Sequence, residues 1–515
     1  MLQIKNLTMN HKKDLRPLLE NFTFSLNPGD RAALIGEEGN GKSTLLKLIY
    51  DPTLVEPYLE WQGDIRCSGR FGMLFQEFPD KEGTVYDFFA GEGSTLEDFF
   101  DLDPREVQST ARSLGLPADI CYSDQPVDSL SGGEKVKLQL CRVLLGKPDI
   151  LLLDEPSNDL DLETLEWLEA FILRCPLPIL YISHDETLLS RTANVILHIE
   201  LVRRKTLPRC TIARMPYDQY MEERASKIAQ QTKEARKAEE EYQQQQAKFL
   251  QIQSKVDHQL NAISRQNPSG GRLLKKKMHT VKSMGRRFER EHERAVQLPD
   301  LEEAIMLRFP EGCAVPAGKD VVRFELPELA VGGRVLAENI ALQITGPERV
   351  CIIGKNGVGK TTLLRQIAES LLGRSDIRAA YMPQNYAELL PPEVTPVEFL
   401  AKSGRHDEIS RVRTFLGSVK YTPEEMEHPA AEMSGGQRAK LLFLKMILGG
   451  CNVLVLDEPT RNFSPLSNPV IREVLRQFEG AIISISHDRR YISEVCTRVL
   501  RLTDKGLRSV DLPTQ

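Results

Sequence analysis

Two lysines each end a glycine-rich run whose spacing suits a polyphosphate. Gly36, Gly39, Gly41, Lys42 and Ser43 fit the pattern G-x-x-x-x-G-K-[ST], and so do Gly354, Gly357, Gly359, Lys360 and Thr361. Glycines let backbone N–H groups turn toward phosphate oxygens, and a helix N-terminus adds positive potential. Lys42 and Lys360 are expected to reach the β- and γ-phosphates, and Ser43 and Thr361 to ligate Mg²⁺. Each run follows an apolar, strand-like segment, residues 31–35 and 349–353. Each opens into a helix, so Thr44 and Thr362 count with the cradle.

Three further motifs follow each run in the same order. Ser131, Gly132 and Gly133 recur as Ser434, Gly435 and Gly436, each at the head of an amphipathic helix that offers a second anion seat. Asp154 and Glu155 recur as Asp457 and Glu458, each pair ending an apolar strand. His184 recurs as His487. The serine-to-aspartate interval is 23 residues in both halves, and the aspartate-to-histidine interval is 30 in both. Such matched spacing marks an internal duplication. Asp154 and Asp457 suit a Mg²⁺-associated carboxylate. Glu155 and Glu458 suit the general base that orients and deprotonates a water. His184 and His487 suit a γ-phosphate contact. Gln76 and Gln384 suit a residue that senses Mg²⁺ and the attacking water.

These motifs resemble the ABC ATPase family over both halves. In that family the Ser-Gly-Gly signature of one cassette completes the ATP site of the other. The resemblance implies one site built from Lys42, Asp154, Glu155 and His184 with Ser434, Gly435 and Gly436. The other would join Lys360, Asp457, Glu458 and His487 to Ser131, Gly132 and Gly133. ATP over another nucleotide rests on the family, because neither half offers an aromatic residue suited to stacking on adenine. The halves differ after the glutamates. Asn158 and Asp161 of the first loop match the family's D-loop, whereas Arg461 and Ser464 stand at those places in the second. The site holding Lys42 is therefore expected to turn over more slowly, or to be gated differently.

The chain has 515 residues, and no apolar stretch reaches the roughly 18 needed to span a bilayer. Its start lacks the basic-then-apolar pattern of a signal peptide. Nine scattered cysteines without a C-x-x-C pair argue against zinc, iron–sulfur or disulfide frameworks and point to the cytoplasm. The formal net charge is −6, but residues 222–294 carry +7. From Asp218 to Gln266 there is neither Gly nor Pro, and Ile228, Ala235, Tyr242, Phe249, Val256 and Ile263 fall at seven-residue spacing. That pattern predicts a long helix with one apolar edge, as in a coiled coil. A break is expected at residues 267–271, then a return helix with Val281, Met284, Phe288, Ala295 and Leu298 on one face. Around the break, residues 265–287 hold eight basic residues and no acid: Arg265, Arg272, Lys275, Lys276, Lys277, Lys282, Arg286 and Arg287. A rigid arm with such a tip suits a phosphate-lined cleft in structured RNA.

The expected architecture is α/β: a first cassette over residues 1–216, a basic helical hairpin over 217–300 with its tip near 265–277, and a second cassette over 301–515. That arrangement resembles the ABC-F family. The resemblance implies a monomer whose own cassettes pair, with ATP and Mg²⁺ as cofactors. Its implied partner is the 70S ribosome near the tRNA exit site, with the hairpin reaching toward P-site tRNA and the peptidyl-transferase centre of 23S rRNA. No membrane or permease partner is expected. The lack of a large insertion in the first cassette, the short C-terminal extension and the altered second D-loop look most like the branch that protects ribosomes from antibiotics. The rival readings are a housekeeping translation factor, an ATPase subunit of a membrane importer, and an ATP-gated binding protein whose hydrolysis only resets it.

Overall fold

Residues 150–154 and 453–457 are apolar up to a final aspartate, and every one is buried. Runs buried on both faces are what a parallel sheet covered by helices requires. In a computed structural model that describes all residues except 14, 77, 79–82, 91–98, 203–205, 263–267, 295–307, 402 and 512–515, each run lies inside such a sheet.

The first sheet runs, in spatial order, Phe71–Leu74, Ile150–Asp154, Ile179–Ile182, Arg31–Ile35, Val195–Leu201 and Leu207–Ala213. Its first five strands are parallel and the last pairs antiparallel. The second repeats the plan with Ala379–Met382, Val453–Asp457, Ala481–Ile485, Arg349–Ile353, Arg498–Thr503 and Gly506–Val510. Each phosphate loop leaves the carboxyl end of a central strand, and each Asp-Glu and His motif leaves the same edge two strands or one strand away. Crevices at that edge are where open α/β sheets bind ligands. A smaller antiparallel sheet flanks each half: Pro17–Leu26, Leu2–His11 and Leu59–Cys67 in the first, Asp320–Val331 and Arg334–Thr345 in the second. Apolar side chains of the small and large sheets join in one core in each half.

Residues 1–217 and 302–515 form one unit, so the two cassettes face each other within a single body. Ion pairs cross that face. Arg472 and Glu186 are each 3% exposed and are joined by two hydrogen bonds. Arg490 adds a contact to Glu186 at 3.2 Å, and Arg489 bonds Glu169. Buried charges persist only when paired in this way.

Residues 218–301 form the second unit. Helix Tyr217–Ala262 spans 46 residues, about 69 Å at the standard rise. Ala235 and Val256 of the seven-residue stripe are buried, and Ile228, Tyr242 and Phe249 are half-buried. The return helix is Pro268–Arg294, with Val281 buried and Gly285 against the Phe249 ring. Residues 268–271, expected within the break, are helical instead, because the helix is already formed at Pro268. Proline is favoured at a first helical position, where its fixed φ suits the helix and its missing N–H costs nothing. Arg265, Ile263, Ala295 and Leu298 lie outside the described residues.

The first glycine of each phosphate loop has a packing role before any ligand arrives. Gly36 has φ +150°, and a Cβ there would lie 2.2 Å from the Ile199 carbonyl oxygen. At Gly354 the same atom would lie 2.9 Å from the Leu502 oxygen. Gly36→Ala should therefore lower stability by about 3 kcal/mol through backbone strain and displacement of the adjoining strand. Thermal denaturation checks this against Gly39→Ala, where a Cβ meets nothing within 4 Å and the loss should be smaller.

Candidate functional site

A cavity of about 570 Å³ lies where the second phosphate loop meets the first cassette. Lys360, Thr361, Thr362, Gln384, Asp457, Glu458 and His487 line it from the second cassette. Gly132, Asp159 and His184 line it from the first. This brings together most of the residues expected at one composite site, and the volume suits a nucleotide-sized ligand. The Lys360 ammonium donates to the carbonyls of Gly354 at 2.8 Å and Lys355 at 2.9 Å. Asn356 reaches across to the Asp159 carbonyl at 2.5 Å, and Gln384 to the Asp159 carboxylate at 3.3 Å. Val331 and Leu336, on the strand hairpin beside the loop, give the cavity an aliphatic wall.

The Lys42 site has a different interior. Lys42 again donates to its own loop, at 2.9 Å to both Gly36 and Glu37 carbonyls. The two residues between the loop's first glycines are acids, and both engage the second cassette. The Glu38 carboxylate accepts from the backbone N–H groups of Gly435, at 3.2 Å, and Gly436. The Glu37 carboxylate accepts from the Ser464 hydroxyl at 2.5 Å and from Ser467, and pairs with Lys440 at 3.2 Å. Burial alone would raise the Glu37 carboxyl, but Lys440 and the two hydroxyls outweigh it and hold it down to about 2. The cavity that borders Glu37 and Glu38 measures about 30 Å³.

The catalytic-type residues sit alike in both halves but differ in spacing and in the direction of their pKa shifts. Glu155 and Glu458 both have φ +51°, in the left-handed region that carries strain of about 1–3 kcal/mol for a non-glycine residue. Glu155 lies 2.8 Å from His184 Nε2, and His184 Nδ1 lies 2.8 Å from the Phe463 carbonyl of the other cassette. Burial opposes both charges, yet the pairing wins: the Glu155 carboxyl is lowered and the His184 imidazole raised. In the second half the gap widens to 3.8 Å. Burial and the neighbouring Asp457 push Glu458 up to about 8, while burial and Lys360 push His487 down to about 4.

The donor sets fit a magnesium ion. Ser43 donates to Asp154 at 2.8 Å, and Thr361 is bonded to Asp457, whose buried Oδ2 has no protein partner. Mg²⁺ in phosphate sites is commonly held by one carboxylate and a hydroxyl, with the rest of its shell from phosphates and water. Among the described residues no cluster of three His, Cys, Asp or Glu could hold a metal alone. Gln76 is exposed just beyond strand Phe71–Leu74.

Sequence reasoning missed Glu37, Glu38, Lys440 and Ser467. The acids were legible as departures from the second loop, which has Lys355 and Asn356 at the same places. Their partners, hundreds of residues away, were not. The two unusual residues of the second D-loop now have partners as well: Arg461 bonds Asp159 at 2.7 Å, and Ser464 bonds Glu37.

The pattern of the family described as ABC transporter matches residues 19–158 and 337–461. The "ABC transporter F family member 2" of Arabidopsis thaliana is 27% identical over 95% of this chain and 75% of its own length. The "Probable ATP-binding protein YheS" of Escherichia coli strain K12 is 27% identical over 97% of this chain and 78% of its own. Among solved structures, an archaeal ribosome recycling factor, aABCE1, in complex with the ribosomal stalk protein aP1 has a similar fold. Its TM-score is 0.56 at 15% identity, covering 98% of this chain and 89% of that one. No described helix is long and apolar enough to cross a membrane.

Because folding depresses the Glu37 carboxyl, its contribution is fully present above the usual carboxylate range and is lost as pH falls toward about 2. From the size of that depression the contribution is about 3 kcal/mol. Glu37→Gln should remove this part of the acid dependence. Lys440→Met, which strands a buried carboxylate, should destabilise the body by about 3–5 kcal/mol near neutral pH. Melting temperatures of both variants between pH 3 and pH 8 check the pair of expectations.

Proposed function

Since this chain belongs to the ABC transporter family and is an ATPase of that family, we propose that its hydrolysis serves a ribosome rather than a membrane channel. Relatives in the F subfamily, similar over 95% of this chain, support placing it there. The observation that carries the reading is the unit between the cassettes. Helix Pro268–Arg294 begins with Arg272, Lys275, Lys276 and Lys277, all exposed, and continues through exposed Lys282, Arg286 and Arg287. The Leu273 side chain is 64% exposed among them. Basic residues interleaved with an apolar one suit the phosphates and splayed bases of folded RNA. The protein of similar fold is a ribosome recycling factor, which favours the same class of partner.

In this reading Lys360 holds the β- and γ-phosphates of a triphosphate and Lys42 holds the phosphates of the second nucleotide, with Thr44 and Thr362 beside them. Ser131, Gly132 and Gly133 meet the nucleotide held at Lys360, while Ser434, Gly435 and Gly436 face the site at Lys42. Ser43 with Asp154 and Thr361 with Asp457 would hold Mg²⁺, with Gln76 and Gln384 placed to sense it, and the bound ion would neutralise charge on the phosphates. Glu458 orients the attacking water and takes its proton, with His487 against the terminal phosphate, and Glu155 and His184 hold the same places in the Lys42 half. Triphosphate would keep the cassettes closed and favour the ribosome-bound state; hydrolysis would release it.

We assign the narrower role of shielding translation from antibiotics bound at the peptidyl-transferase centre, through the basic segment. The Glu155→Gln, Glu458→Gln chain should co-sediment with 70S ribosomes only when ATP is present, and absence of co-sedimentation would reject a ribosomal role. Replacing Lys275, Lys276 and Lys277 by Gln should weaken that binding about tenfold and reduce its salt dependence while leaving basal ATPase activity unchanged. Expression of the wild-type chain in a sensitive bacterium should raise resistance to lincosamides, pleuromutilins or streptogramin A. Unchanged resistance with intact ribosome binding would favour the housekeeping role.

A further inference from the structure

The two phosphate loops meet the opposing Ser-Gly-Gly helices on different terms. At the Lys360 site the loop offers Lys355 and Asn356, and the space before Gly132 is part of the cavity of about 570 Å³. At the Lys42 site the corresponding residues are Glu37 and Glu38. Both oxygens of Glu38 lie on the first two amides of helix Gly435–Leu448. Those amides are an anion seat: Ser434 and Gln437 satisfy the neighbouring donors in a capping box, and Glu38 takes the next two. A Cβ at Gly436 would lie 2.8 Å from the Asn462 carbonyl oxygen and 2.9 Å from a Glu38 oxygen, and one at Gly435 would lie 3.3 Å from the other Glu38 oxygen, so the glycines leave the carboxylate close to the amides.

Glu37 is bound differently. Lys440 neutralises it and Ser464 and Ser467 bond it, all from the second cassette. The first D-loop carries Asp161 where the second carries Ser464. An aspartate at 464 would set a second carboxylate against Glu37, so the acidic loop and the serine-bearing D-loop are matched across the interface. The acids are therefore integrated into the closed cassette pair.

We propose that Glu38 is a resident surrogate for a terminal phosphate, so that the closed Lys42 site takes a nucleoside diphosphate while the Lys360 site takes the triphosphate. This rests on the reading that both lysines mark nucleotide sites. A carboxylate and a γ-phosphate compete for the same two N–H groups, and a triphosphate would bring further negative charge against Glu38. A diphosphate ends one phosphate short of that contact and leaves the Glu38 bonds intact.

The test uses the full chain carrying Glu155→Gln and Glu458→Gln, equilibrated with Mg²⁺ and equal ATP and ADP, then freed of unbound nucleotide by gel filtration. One ATP and one ADP per chain are expected. Adding Glu38→Asn, which copies the second loop, should convert this to two ATP per chain and raise the ATP-to-ADP preference of the Lys42 site at least about tenfold. Glu38→Gln, which removes charge but keeps length, should move the ratio in the same direction, and both variants are checked for an unaltered melting profile. Two ATP per chain with Glu38 intact would overturn the proposal. So would an unchanged one-to-one ratio in both Glu38 variants. Lys42→Ala separates the two levels: loss of the retained ADP alone supports the assignment, and no loss of any nucleotide would overturn the Lys42 site as a nucleotide site.

Discussion

A backbone anion seat must be filled wherever a phosphate loop faces the opposite cassette's Ser-Gly-Gly helix, and the rest of the body is arranged around that need. Amides at a helix start are left without intrahelical partners, and burying them empty is costly. In the second signature Glu38 fills the seat from within the chain. In the first, Gly132 borders a cavity large enough for a nucleotide. The same interface buries Arg472 with Glu186 and Glu37 with Lys440, charges that are stable there only because the cassettes face one another.

The asymmetry extends beyond the loops. Glu155 and His184 lie 2.8 Å apart and favour each other's charged forms, while Glu458 and His487 stand 3.8 Å apart, with burial raising the carboxyl and lowering the imidazole. A carboxyl raised by burial is poised differently from one held down by a partner imidazole. Duplication supplied two equal frameworks, and substitutions at a few loop positions made the interiors unequal.

Much of this was legible in the sequence because the relevant physics is local. A buried strand ending in Asp-Glu, a glycine-rich turn into a helix and a Ser-Gly-Gly cap each declare themselves within a dozen residues. The seven-residue stripe through Ala235 and Val256 likewise declared a long helix with a buried edge. What could not be read were pairings across hundreds of residues: Arg461 with Asp159, and Ser464 with Glu37. Each looks like a defect in its own motif and becomes intelligible only against its partner. The start of the return helix was misplaced for a smaller reason, since proline and glycine read as a break when the proline in fact occupies a helix's first turn.

In the proposed ATPase the Lys360 site lies between the two cassettes and is completed by the first signature. The most direct measurement is ATP turnover in Ser131→Arg, in Lys360→Ala and in the chain carrying both. If the two residues serve one site, the double variant should retain the same residual turnover as the more damaged single variant. Losses that multiply in the double variant would contradict a shared site and would mean that the two cassettes work independently.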